Sequence, residues 1–223
     1  MEFENQVVLI TGAGHGNGRR LAEAFAARGA TIAANDVSPQ NVEELVASLT
    51  ARGCRANAYV EDVAKKVGVQ ALVKQVEDDF QRIDILINHA AVEPSMSLLD
   101  MDEWDWHRTL DVNLTGAFLM MQSVGRVMRA RGGGVILNLA SIAGYTDTFK
   151  RAAYVSSLFG VVGLTRQAAH ELFASNVRVH VLGRGLKKFQ SGDQVAPADL
   201  LEAALFLCGP GGAHLTGQIV NVT

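Results

Sequence analysis

Val7-Val8-Leu9-Ile10-Thr11-Gly12-Ala13-Gly14-His15-Gly16-Asn17-Gly18 is a short β-branched apolar run feeding straight into a glycine-rich turn. The run reads as a strand, and Leu21, Ala22, Phe25 and Ala26 recur at helical spacing just beyond it. Glycines between a strand and a helix let the backbone turn tightly and approach a pyrophosphate. The helix start adds free N–H groups and the positive end of a dipole. The spacing here is GxxxGxG through Gly12, Gly16 and Gly18, not the commoner GxGxxG. A plain tight turn is the competing reading, and position between strand and helix counts against it.

The same alternation continues outward. Thr31 to Asn35, Arg55 to Val60, Ile83 to Ile87, Val135 to Leu139, Val177 to Leu182 and Gln218 to Val222 read as further strands. Ser38-Pro39 opens a helix through Leu49 as cap and first helical residue. Asp62 is expected to cap the next helix, whose Val63, Val67, Val73, Val76 and Phe80 are spaced helically. Longer helices are expected over Asp102 to Ala130, ending at Gly132-Gly133-Gly134, over Ala152 to Ala174, and over Ala198 to Cys208.

Seven apolar strands alternating with helices predict an α/β fold: one doubly wound Rossmann-type domain over 1–223, its parallel seven-stranded sheet covered by helices on both faces. A (β/α)₈ barrel fits this length and strand number less well. Ligands of an open parallel sheet bind at the carboxyl ends of its strands. Asp36 stands at such an end, eighteen residues beyond Gly18. A carboxylate there accepts both hydroxyls of an adenosine ribose and repels a 2′-phosphate, so NAD(H) is favoured over NADP(H). A helix-capping or turn aspartate is the plainer alternative.

Of the 223 residues, 48% are hydrophobic and 19% charged, and the net charge is -3. That balance gives no electrostatic footprint for nucleic acid. No apolar run reaches the length of a membrane span, and no basic-then-apolar leader opens the chain. The two cysteines, Cys54 and Cys208, have neither metal-ligand spacing nor a partner framework, which fits a reducing cytoplasm and no metal site.

These residues together make the chain resemble the short-chain dehydrogenase/reductase family over nearly its whole length. Thr11, Gly12, Gly16, Asn17 and Gly18 lie in a stretch similar to the family's TGxxxGxG. Asp62-Val63 resembles the Asp-Val pair that approaches the adenine. Asn88-His89-Ala90-Ala91 stands in the place of Asn-Asn-Ala-Gly, which puts Asn88 and Ala90 by the cofactor. Asp111 to Gly116 resembles the segment carrying the active-site asparagine, here Asn113. Ser141 falls at the catalytic serine, and Tyr154 follows it by thirteen residues, the family's separation. Leu215 to Gln218 resembles the turn into the last strand.

The resemblance implies hydride transfer between a nicotinamide and a small alcohol or carbonyl compound. It casts Tyr154 as proton donor or acceptor and Ser141 as holder of the substrate oxygen. Asn113 would hold a relay water through a local irregularity of its helix. It also implies a homodimer or homotetramer pairing the two long helices. For each residue alone, a structural hydrogen-bonding role is the alternative.

The pattern breaks at Leu158. The family's Tyr-x-x-x-Lys has a lysine there, one helical turn from the tyrosine. An ordinary tyrosine, of pKa about 10, is ionised only about one part in a thousand near neutrality. If the lysine's whole task were to lower that by ~3 units, its loss would forfeit about 4 kcal/mol. Arg184-Gly185 replaces the Pro-Gly after the sixth strand, Ala91 replaces a glycine, and the substrate lid near 186–197 is short. The last strand meets Thr223 where the family continues with an aspartate and two glycines. Lys150, Arg151, Arg184, Lys187 and Lys188 are candidate substitute cations, with Arg184 best placed, although guanidinium is not a compact ammonium. Two readings stand side by side: an NAD(H)-dependent oxidoreductase of impaired activity, and an inactive nucleotide-binding or partner-binding relative.

Overall fold

The computed structural model describes residues 1–140, 149–184 and 197–222. Seven strands form one sheet: β1 (Val7–Thr11), β2 (Thr31–Asp36), β3 (Ala56–Val60), β4 (Ile85–Asn88), β5 (Gly134–Leu139), β6 (Val177–Arg184) and β7 (Ile219–Val222). Their order is β3-β2-β1-β4-β5-β6-β7, and every neighbouring pair is parallel. The helices are α1 (Gly16–Ala26), α2 (Pro39–Ala51), α3 (Lys66–Phe80), α4 (Glu103–Leu110), α5 (Gly116–Arg131), α6 (Ala152–Leu172) and α7 (Pro197–Cys208).

Alternation along each strand distributes the core. Val8, Ile10, Ile85 and Ile87 face one side, packing with Leu21 and Phe25 of α1, Leu45 of α2 and Leu207 of α7. Val7, Leu9 and Leu86 face the other, with Leu72 and Val76 of α3 and Met120 and Val124 of α5. Burying each such aliphatic side chain contributes roughly 1.5–3 kcal/mol, so both helix layers are held by the sheet rather than by each other. A smaller apolar cluster joins α5 and α6 to β5 and β6 through Ala117, Ala140, Leu158, Val161 and Val181.

Several boundaries differ from the sequence expectation. Ser38 caps α2 as expected, its hydroxyl accepting from the Asn41 N–H. Asp62 does not cap α3, which starts four residues later behind Lys65. Instead Asp62 Oδ1 accepts from the Ala64 N–H at 3.0 Å, closing a turn that brings the chain off β3 before the helix begins. The long helix expected over Asp102 to Ala130 is interrupted by a π turn, Asp111–Thr115, which is the local irregularity expected at Asn113. Gly132, in the left-handed region at φ 88°, ends α5.

β1 neighbours both β2 and β4, and the chain reverses its direction of travel across the sheet between them. The carboxyl ends of β1 and β4 flank the crevice where such folds take ligands. Thr11, Gly12 and the Asn88–Ala91 segment lie there.

Candidate active site

The glycine turn is packed tightly where the sequence requires it. Gly12 has φ +65°, and a Cβ on it would stand 2.8 Å from Ala90 Cα. A Cβ on Gly18 would stand 2.2 Å from the Gly12 carbonyl oxygen and 2.6 Å from His89 Nδ1. Thr11 Oγ1 accepts from the backbone N–H groups of His89 and Ala90, at 3.1 and 3.2 Å. His89 Nδ1 lies 3.0 Å from the Gly12 carbonyl, which fixes the proton on Nδ1. Burial pulls the imidazole pKa down, so the ring is neutral there. α1 begins at Gly16, and His15 at its cap position makes no side-chain cap bond. The first N–H groups of the helix are therefore left for an anion.

Asp36 is 5% exposed at the end of β2. Its Oδ2 accepts from the Gly14 N–H at 2.9 Å and its Oδ1 from the Ser38 N–H at 3.0 Å. The turn role foreseen as an alternative is thus real, and each oxygen keeps further lone-pair capacity. The carboxylate also walls a cavity of about 210 Å³, with Gly12, Asp62, Val63 and Ala90 among its lining. Arg108 Nη1 stands 3.5 Å from Asp62 Oδ2 at the rim. Asn17 is half-buried on the first turn of α1. Gly12, the helix-cap residue His15 and the buried Asp36 carboxylate on one cavity fit part of a dinucleotide.

Asn88 makes a bond that its motif did not predict. Its Nδ2 donates to Asn138 Oδ1 at 2.8 Å, and Asn138 Nδ2 donates to Thr165 Oγ1 at 2.8 Å. This amide bridge ties β4 to β5 and α6. Asn88 Oδ1 is buried with no partner among the described residues, and Asn88 lines a cavity of about 20 Å³ shared with Asn113 and Leu158. That volume suits one water.

The π turn gives Asn113 its grip. Its Oδ1 accepts from the Val92 N–H at 2.8 Å, and its Nδ2 donates to the Val92 carbonyl and to Ser157 Oγ, both at 3.0 Å. Ser157 in turn donates to the Tyr154 carbonyl at 2.6 Å. Asn113 is thereby linked through Ser157 to the Tyr154 backbone, tying the π turn to the first turn of α6. Ser141 lies outside the described residues, as do most of the short lid near 186–197, Lys187 and Lys188. Burial raises the Tyr154 pKa, and the nearby Arg151 charge opposes that rise. Leu158 is 3% exposed and fills the lysine position with hydrocarbon.

Three contributors escaped the sequence reading. Asn138 is a lone amide in the apolar strand Val135 to Leu139, a signal that could have marked it. Ser157 follows the tyrosine by three residues, which places it one turn away. His89 stood in a recognised motif, but nothing in the sequence predicts its bond to Gly12.

The fold is that of the doubly wound parallel class, with its crevice at the carboxyl ends of β1 and β4. A model described as short chain dehydrogenase matches residues 6–195, and the chain belongs to the short-chain dehydrogenase/reductase family, whose members bind nicotinamide cofactors. It is 35% identical over 240 positions to (2S)-[(R)-hydroxy(phenyl)methyl]succinyl-CoA dehydrogenase subunit BbsD of Thauera aromatica, covering 100% of this chain and 96% of that one. It is 36% identical over 234 positions to D-threitol dehydrogenase of Mycolicibacterium smegmatis, covering 96% and 90%. A crystal structure of a short chain dehydrogenase from Mycobacterium smegmatis superposes with a TM-score of 0.93 at 29% identity, covering 100% of this chain and 93% of that one.

Proposed function

We propose that the protein is an NAD(H)-dependent oxidoreductase of a small alcohol or carbonyl compound, working chiefly in the direction of carbonyl reduction. The observation that carries this reading is the buried Asp36 carboxylate on the cavity beside the glycine turn. Thr11, Gly12, Gly16, Asn17 and Gly18 would hold the pyrophosphate side. Asp36 would take the adenosine ribose. Asp62, Val63 and Ala90 would line the adenine side, with Asn88 behind them. A bound NADH supplies a hydride to the carbonyl carbon.

Tyr154 would donate its phenolic proton to the carbonyl oxygen, and Ser141 would hold that oxygen. The raised proton affinity of Tyr154 keeps it in the donor form at neutral pH. The same shift works against alcohol oxidation, which needs the phenolate. Buried Leu158 favours the second reading, a nucleotide-binding relative without turnover. Assembly into a homodimer or homotetramer through α5 and α6, in a cytoplasmic setting, belongs to the same proposal. Phe118, 43% exposed beside the α5–α6 groove, supports it.

A fluorescence titration with NADH, followed by turnover on a panel of ketones, aldehydes and alcohols, separates the readings. Saturable NADH binding at least about tenfold tighter than NADPH is expected, because Asp36 would face the extra phosphate. Binding without turnover would leave the second reading. No binding of either nucleotide at millimolar concentration would sink both.

A further inference from the structure

The position that holds the family's ammonium is closed to a cation here. Leu158 packs with Ala117, Ala140 and Val181, and Tyr154 sits against the same cluster. The elements packed on Tyr154 from α5, β5, β6 and β7 thus present hydrocarbon. Two cations, Lys150 and Arg151, precede the tyrosine at the start of α6, and of these Arg151 is the one whose charge acts on Tyr154. Arg151 stands at the cap position of α6, three residues before the tyrosine, and forms an ion pair with Glu93. Both partners are a little over a third exposed.

The pair is fixed from both ends. On the α6 side, the Met96 N–H donates to the Lys150 carbonyl at 2.9 Å, and Met96 bridges to Arg151 in parallel. On the other side, Glu93 follows Val92, whose N–H and carbonyl are both held by the Asn113 side chain. The π turn that carries Asn113 therefore also sets where Glu93 stands. This is a continuous path from the asparagine to a cation one turn before the tyrosine.

We propose that Arg151, anchored by Glu93, is the positioning cation for Tyr154 and supplies in part the charge that Leu158 does not. The inference rests on the reading of Tyr154 as proton donor. When the phenol gives its proton to a carbonyl oxygen, a phenolate remains until solvent returns a proton. A guanidinium close by stabilises that phenolate and leaves the phenol a better acid. The effect is smaller than that of a buried lysine, because the arginine is partly solvated and already shared with Glu93. The direction found for the Arg151 charge at Tyr154 agrees.

The test replaces Tyr154 in the full chain by 3,5-difluorotyrosine, whose lower pKa brings its titration into a range where the fold persists. The fluorine resonance is followed against pH without cofactor or substrate. Arg151→Gln is expected to raise the midpoint by roughly half a unit, about a threefold fall in acidity. Arg151→Lys is expected to stay near the parent value. A midpoint that Arg151→Gln leaves unmoved would overturn the proposal. So would Arg151→Lys shifting as far as Arg151→Gln, which marks a merely structural arginine. Neither outcome depends on turnover, so failure here is distinct from failure of the NADH titration.

Discussion

Leu158 is a residue whose replacement acts on two quantities at once. Its side chain is almost fully buried among aliphatic neighbours, so Leu158→Lys places an ammonium in a mostly apolar site. The cavity beside it also touches Asn88, whose Oδ1 is an unpartnered acceptor, so the charge is not wholly uncompensated. The expected outcome is a stability loss of roughly 2–3 kcal/mol, read by urea denaturation. Alcohol oxidation by the same variant should rise tenfold or more, equivalent to about 1.4 kcal/mol of barrier, because the phenolate becomes accessible. A destabilised variant with no gain in oxidation would show that the ammonium alone was not limiting. Carbonyl reduction should change less, since it starts from the protonated phenol.

At the scale of elements, β6 and α7 are joined by a half-buried charge. Arg178 Nη1 donates to the carbonyls of Leu207 and Gly212 at 2.6 and 2.8 Å, and Nη2 to that of Cys208 at 3.3 Å. Leu207 and Cys208 are the last residues of α7, and a cation is favoured by carbonyls at a helix end. His180, two residues on, is fully buried with Nδ1 unpartnered among the described residues. Burial, aided by the Arg178 charge, pulls its pKa down to about 4. The neutral ring is thus favoured by the fold. Its stabilisation is complete above the unfolded value of about 6.5 and is lost as pH falls through about 4. The loss can reach about 3 kcal/mol. His180→Gln should flatten the decline of urea stability between those two pH values; curves parallel to the parent would refute the assignment.

The elements also show what could be read from residues alone. Strands were legible because β1, β4 and β5 each carry a short run of three or four apolar residues, as expected of strands covered on both faces. The Ser38 cap was legible because its bond is local. Asp62 was misread because a capping aspartate and a turn aspartate present the same residue type, and only the path off β3 decides between them. The π turn was expected at Asn113 from the resemblance rather than from periodicity: one extra residue changes the phase of the apolar pattern by about 100°, but Glu103–Leu110 before it is too short a helix to fix a phase to compare. Asn88 was placed in the right motif, yet its amide bridge depends on Asn138 across β5, a pairing no local spacing encodes.

For the whole molecule, the strand order decides which parts open first. β1, β4 and β5 are interior to the sheet, whereas β3 and β7 are its edges and carry half-exposed residues. Amide hydrogen exchange should be slowest in β1, β4 and β5 and fastest in β3 and β7. Uniform protection across all seven strands would contradict that order. No helix among the described residues is long and apolar enough to cross a membrane.

The strand order also has a meaning for how the protein is made and altered. β1, β2, β3 and β4 are complete by Asn88, so the turn, Asp36, Asp62 and Ala90 are all synthesised before the π turn begins. Most of the crevice is thus laid down before the tyrosine helix, with Arg108 of α4 and Val112 of the π turn closing its wall. The residues proposed for recognition and for proton chemistry therefore come largely from successive stretches of the chain. A change such as leucine at position 158 can rewrite the second and leave the first untouched.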